Sequence, residues 1–174
     1  MTHHDQTPLT RDPEGVATVR DIIENQRICM LTSVHEGALV SRPMAVQEVE
    51  FDGDLWFFSQ AGATKIDDVG SEPHVNVAFS GDGAWLSING TAQVVTDVEK
   101  KKELWNTAAS AWLEGGPEDE EVVLLRVQGH TAEFWEGPGR VATAIALVKS
   151  VVKRDGRPDV GDNETVRLEG GRRI

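Results

Sequence analysis

The sequence predicts a mainly β domain with flanking helices, its strands forming one antiparallel sheet closed as a small barrel. Two observations predict this. Short runs rich in β-branched and aromatic residues recur along the chain, each bounded by Gly- or Asp-containing turns. Most of these runs are separated by only a few residues, which is too short for a crossover helix and favours hairpins. About seven strands and three or four helices can be read this way, and a small antiparallel sheet of that size hides its unpaired edges by closing.

The elements follow in order. Residues 1–14 are polar, with Pro8 and Pro13, and read as a loose tail. Val16, Val19, Ile22 and Ile23 recur at helical spacing, so residues 16–26 read as an amphipathic helix. Residues 28–34 (ICMLTSV) form an apolar strand that ends in a His35-Glu36-Gly37-Ala38 turn. A long strand over 39–51, the turn Asp52-Gly53-Asp54 and a third strand over 55–59 complete a meander of hairpins. Residues 60–70 read as a loop leading into a short helix. Strands at 74–80 and 85–95 flank Gly81-Asp82-Gly83, and Gly90 inside the second suggests a bulge or a close backbone approach. Residues 97–112 read as a helix with Asp97 as its N-cap and Lys100, Lys101 and Lys102 on its solvated side. Trp105 and Trp112, seven apart, would share one stripe of that helix. After Gly115-Gly116-Pro117 come late strands at 122–128 and 131–136, then a last helix at 142–152. Residues 154–174, rich in Gly, Asp and Arg, read as frayed. The organisation is therefore a tail (1–14), one domain (15–153) and a polar C-terminal tail (154–174).

Composition narrows the function. The chain has 174 residues, 39% of them apolar, and a net charge of −12. Such an acidic balance argues against a duplex nucleic-acid binder and against docking on an anionic membrane. Cys29 is the single cysteine, so neither an internal disulfide nor a cysteine-based zinc cage is expected. The N-terminal MTHHDQTPLTRDPEG lacks an apolar signal core, and no run reaches the ~20 apolar residues of a membrane span, so a cytoplasmic protein is expected.

Neither a GxGxxG nor a P-loop phosphate cradle is present, and no GxSxG elbow. His3 and His4 lie in the tail, and His35, His74 and His130 are scattered without ligand spacing, so no metal site is expected. The informative residues are cations. Arg42 lies inside the apolar VSRPMAV, where a guanidinium is costly to desolvate without a partner. Pro43 beside it belongs at an edge or bulge. Arg42 thus stands at a rim facing an anion site, or forms a plain surface ion pair with one of 29 acids. Thr64-Lys65 can donate a hydroxyl and an ammonium to one phosphate, or Lys65 is simply solvated. In Trp56-Phe57-Phe58 alternate side chains face opposite ways, and one face is core.

Taken together and in order, ICMLTSV, SRPM, DGDLWFFS, TKI, VNVAF, SINGTAQVV, ELWN, AWLEGGPED, LLRV and AEFW resemble the general stress protein branch of the pyridoxamine-phosphate-oxidase-like flavoproteins. The likeness runs from about Val16 to Leu147. It implies the FMN-binding split barrel, an antiparallel split β-barrel, and a homodimer with flavin at the subunit interface. It implies Arg42 as the FMN phosphate ligand, with Pro43 and Met44 near the flavin. Phe57, Phe58 and Ser59 would lie beside the ring and ribityl chain, and Thr64 and Lys65 would form the phosphate loop. Trp105 and Trp112 would reach the cofactor from the second subunit. Leu113-Glu114 replaces a Phe-Pro that the family often carries, which alters the dimer-side lid. With no helix-dipole cradle expected in a split barrel, side chains must meet the phosphate charge. FAD or a deazaflavin would suit the same cations. The implied function is an FMN-dependent oxidoreductase working between a nicotinamide donor and a small substrate. A flavin storage or sensing module and a cofactor-free interaction dimer are the alternatives. Pyridoxamine phosphate oxidation would need a second phosphate site, for which Arg167, Arg172 and Arg173 are the available cations, and haem lacks a convincing axial ligand other than His130.

Overall fold

The computed structural model describes residues 13–47, 51–81, 83–136 and 162–168. Helix α1 (Pro13–Asn25) starts on proline, whose missing N–H costs nothing in a first turn, and buries Val19, Ile22 and Ile23. Strand β1 (Ile28–His35) alternates, turning Cys29, Leu31 and Ser33 inward. It pairs in hairpin register with β2 (Ala38–Ala45), from His35 opposite Ala38 to Ile28 opposite Ala45. Glu36 and Gly37 in the connection have φ of 50° and 78°, the geometry that a two-residue turn needs to match strand twist.

β2 ends at Ala45 instead of running on to Phe51. Its chain leaves the ladder when Val46 N–H donates to the Arg27 carbonyl and Gln47 N–H to the Trp56 carbonyl. The expected meander stops there. Strand β3 (Asp54–Gln60) pairs with β6 (Val122–Glu136), not with β2. With β4 (His74–Gly81), β5 (Ala84–Val95) and β7 (Asp162–Arg167), the sheet runs β2-β1-β4-β5-β6-β3, and β7 also pairs with β6. All pairings are antiparallel. Among the described strands β2 is one edge, and β3 and β7 make up the other. Just past β2 the chain approaches β3 at the Gln47–Trp56 hydrogen bond without a closing ladder, so the sheet curls into an open barrel. Pro43, without an N–H to give, lies on the edge strand β2.

The two late strands expected at 122–128 and 131–136 are one. β5 pairs along all of β6, with an irregularity at Asn89/Gly90 opposite Gly129. A Cβ on Gly90 would lie 2.2 Å from the Gln128 carbonyl oxygen, so only glycine lets the strands pass. β3 pairs with the first half of β6 and β7 with the second. β7 corrects the reading of 154–174 as frayed. Val166 and Leu168 are buried, and Leu168 N–H donates to the His130 carbonyl. The helix expected at 142–152 lies outside the described residues.

Residues 97–112 form two helices, α3 (Val98–Leu104) and α4 (Thr107–Trp112). Asp97 caps the first by accepting from Lys100 N–H, and Asn106 caps the second by accepting from Ala109 N–H. The break at Trp105-Asn106 takes Trp105 and Trp112 off a common stripe. Lys101 is not solvated: it is 2% exposed and donates through Nζ to the Asp119 and Val122 carbonyls, at 2.8 and 2.9 Å. No described helix is long and apolar enough to cross a membrane.

Candidate anion site

The alternation of β2 sends Arg42 inward, opposite Leu31 of β1. Two residues along β1, Ser33 is fully buried in an apolar strand and therefore needs a partner. Helix α2 (Thr64–Ser71), lying against β1, supplies it. Its Asp68 is buried, and Oδ2 accepts from Ser33 Oγ at 2.9 Å and from Arg42 Nη2 at 3.1 Å. Oδ1 lies 2.7 Å from His35 Nδ1. Arg42 Nη1 donates to Ser33 Oγ at 2.7 Å, which closes a ring of three side chains. Burial by itself raises the Asp68 pKa, but the hydrogen bonds from His35, Ser33 and Arg42 outweigh it and hold the carboxyl below its usual range.

The Arg42 side chain is 21% exposed. A guanidinium has five N–H donors, and Ser33 and Asp68 take two, leaving three for another acceptor. Lys65, in the first turn of α2, is half-buried. Its pKa is lowered, first by burial and then by the charge of Arg42. The two cations therefore stand close enough to repel. Thr64 is exposed beside them, and α2 begins at Ala63 without a side-chain cap, so its first-turn N–H groups lack that partner. This differs from a barrel without a helix terminus: Thr64 and Lys65 stand on one. The ion pair of Arg42 exists, but with a buried carboxylate and not on the surface.

The other sequence-predicted residues are placed as follows. Pro43 faces outward, exposed, and Met44 faces the core. Phe57 is fully buried and Ser59 nearly so, which makes their face of β3 the core face. Ser59 Oγ donates to the Gln60 carbonyl. On the opposite face, Phe58 meets Trp105 edge to face, ring centroids 5.2 Å apart. Trp56 on that face lies under Lys100 and Arg126, at 5.1 and 5.8 Å. Trp112 is 89% exposed on α4. The structure thus brings Arg42 to Lys65 and Phe58 to Trp105. Sequence reasoning missed Ser33, His35 and Asp68. The available signals were a hydroxyl inside ICMLTSV and the spacing of Asp68, three after Lys65 and four after Thr64, on one helix face.

Comparison with known proteins bears on this site. The chain matches the family "Pyridoxamine 5'-phosphate oxidase like" over residues 14–159. It is 38% identical over 109 residues to Protein bli-3 of Neurospora crassa, a match covering 56% of this chain and 52% of that protein. The chain thus spans about half the length of this curated relative. The crystal structure of General Stress Protein 26 from Bacillus anthracis superposes with a TM-score of 0.62 at 26% identity, covering 68% of this chain and 91% of that one. The general stress FMN/FAD binding protein of Xanthomonas citri superposes with a TM-score of 0.60 at 31% identity, covering 68% and 86%. These neighbours have the split-barrel fold, and the open antiparallel sheet of this chain is of that class. The chain belongs to the pyridoxamine 5'-phosphate oxidase like family.

Proposed function

We propose that Arg42, Lys65 and Thr64 hold the phosphate of a flavin nucleotide, FMN first among the candidates, and that the protein is a flavin-dependent oxidoreductase. In this reading it moves hydride or electrons between a nicotinamide donor and a small substrate, as a cytoplasmic homodimer. The observation that carries the reading is the pair of cations. Arg42 and Lys65 come from separate elements, and burial first and the charge of Arg42 second make the Lys65 ammonium harder to keep, a cost that an anion between them relieves. The residues fit such a group: unused guanidinium donors, an ammonium, an exposed hydroxyl and the start of a helix. The family and the FMN/FAD binding relative support the choice of a flavin.

A bound flavin supplies the redox chemistry. The chain's own residues bind and orient it. Ser33 and Asp68 fix the guanidinium, so Arg42 meets the phosphate with little ordering left to do. Phe58 and Trp105 offer aromatic surface to a planar ring. The outward faces of β1, β2 and β5 expose Ile28 (60%), Met30, Leu39 and Trp85. That apolar surface suits a second copy of the chain, which would seat the ring between protomers.

Absorbance spectra and mass spectrometry of the ligand carried by gently purified protein test the binding. A yellow protein releasing a phosphorylated flavin agrees, and a colourless protein that takes up neither FMN nor FAD contradicts it. Anaerobic bleaching by a nicotinamide donor with reoxidation by an acceptor agrees with turnover. A flavin that stays oxidised points to storage or sensing.

A further inference from the structure

Asp68 joins the proposed phosphate cradle to an exposed histidine. Its Oδ2 holds Arg42 and Ser33 while its Oδ1 meets His35 Nδ1 at 2.7 Å. The His35 side chain is 42% exposed, so its second ring nitrogen can exchange protons with solvent, whereas Asp68 is buried. Arg42 and Lys65 against Asp68 leave the cradle one net positive charge when His35 is neutral, and two when it is protonated. Among the described residues, the charged groups at His35 are Asp68 from α2, Arg42 from β2, which shares that carboxylate, and Glu36 beside it in the turn, while Lys65 of α2 interacts with Arg42. β4 carries one titratable side chain, His74, already paired with Glu72, and β5 carries none.

We propose that Asp68 is a positioning and charge-setting residue of the cradle, and that the proton on His35 sets, through Asp68, how strongly the cradle holds a phosphate. With neutral His35 the Asp68 charge offsets that of Arg42, and a single net positive charge faces the ligand. With His35 protonated, Asp68 is neutralised from its other side, and both cations act on the phosphate. The proposal rests on the phosphate reading above.

The test is fluorescence titration of FMN and of riboflavin, which lacks the phosphate, at pH 8 and pH 6. The proteins are the wild type, His35→Gln and Asp68→Asn. In His35→Gln the new amide can still donate to Oδ1 but does not titrate. In Asp68→Asn the new side chain keeps a carbonyl oxygen for Arg42 and Ser33 but loses the charge. The quantity read is the preference for FMN over riboflavin, compared between proteins at one pH so that titration of the ligand's own phosphate cancels. Two results are expected. On acidification the wild type gains about tenfold in this preference relative to His35→Gln, and at pH 8 Asp68→Asn prefers FMN about tenfold more than the wild type, as one unit charge near a phosphate allows. A wild type and His35→Gln with the same pH response overturn the proposal. So does an Asp68→Asn protein with a preference equal to or below that of the wild type, which would make Asp68 an anchor only. If Asp68→Asn does not fold, the His35→Gln comparison decides. A wild type that binds FMN and riboflavin alike at both pH values overturns the phosphate reading itself, and this proposal with it.

Discussion

Removing the two cations is the perturbation whose size the structure best defines. Arg42 keeps three N–H donors free after Ser33 and Asp68 take two. If a phosphate accepts two of them, each charge-assisted bond contributes about 1.5–3 kcal/mol. Arg42 is partly solvated, so the lower end applies and Arg42→Ala should weaken FMN binding by about 3 kcal/mol, or 10²-fold. Lys65, a half-buried point charge, adds about another factor of ten. The double variant Arg42→Ala/Lys65→Ala should thus bind FMN about 10³-fold more weakly, while its affinity for riboflavin changes little. The fold should survive, because Asp68 retains its hydrogen bonds with Ser33 and His35. Fluorescence titration gives both affinities, and near-UV circular dichroism checks the fold. A folded double variant that binds FMN within about threefold of the wild type would refute the reasoning.

The remaining predictions concern the frame around the site. Gly90→Ala should destabilise by about 2–4 kcal/mol, because its Cβ would meet the Gln128 carbonyl at 2.2 Å, whereas Gly70→Ala, in α2 with open space around it, should stabilise by up to about 1 kcal/mol; denaturant melts read both. Lys101→Met should cost about 2–4 kcal/mol and open the segment between α4 and β6 to limited proteolysis, since the Asp119 and Val122 carbonyls lose their donor; an unchanged melt and digestion pattern would contradict this. The Cys29 thiol, pushed up to about 12 chiefly by burial, should not react with a disulfide reagent at neutral pH until the protein unfolds, and thiol titration with and without denaturant checks it. Because folding lowers the Asp68 pKa, the carboxylate stabilises the fold above its unfolded value of about 4, and that contribution is lost as pH falls through the depressed folded value. The melting temperature of the wild type should therefore drop more steeply than that of Asp68→Asn below about pH 4, and parallel curves would contradict it.

Local chemistry was legible where a local signal existed. The β1–β2 hairpin followed from Gly37, and both capping residues of the split helix, Asp97 and Asn106, are of the usual cap types. The break itself was missed because Asn106 sits within a stretch of helical composition. The partner of β3 was not legible: Asp52-Gly53-Asp54 reads as a hairpin turn between β2 and β3, yet which strand pairs is settled by the burial of β6, some sixty residues later in the chain. β7 was hidden because Val166 is its only described buried side chain, with Leu168 just beyond it, in a charged segment. The buried Lys101 ran against the ordinary fate of lysine. At the site, Arg42 stood out because a guanidinium in an apolar strand needs an explanation. Asp68, one of 29 acids, did not, since only the approach of α2 to β1 distinguishes it.

A crystal structure of the protein with FMN is the most direct test of the cradle. The phosphate is expected within hydrogen-bond distance of both Arg42 and Lys65, at the start of α2, with Asp68 still holding the guanidinium. A flavin bound elsewhere, or a phosphate in solvent with these cations turned away from it, would contradict the assignment.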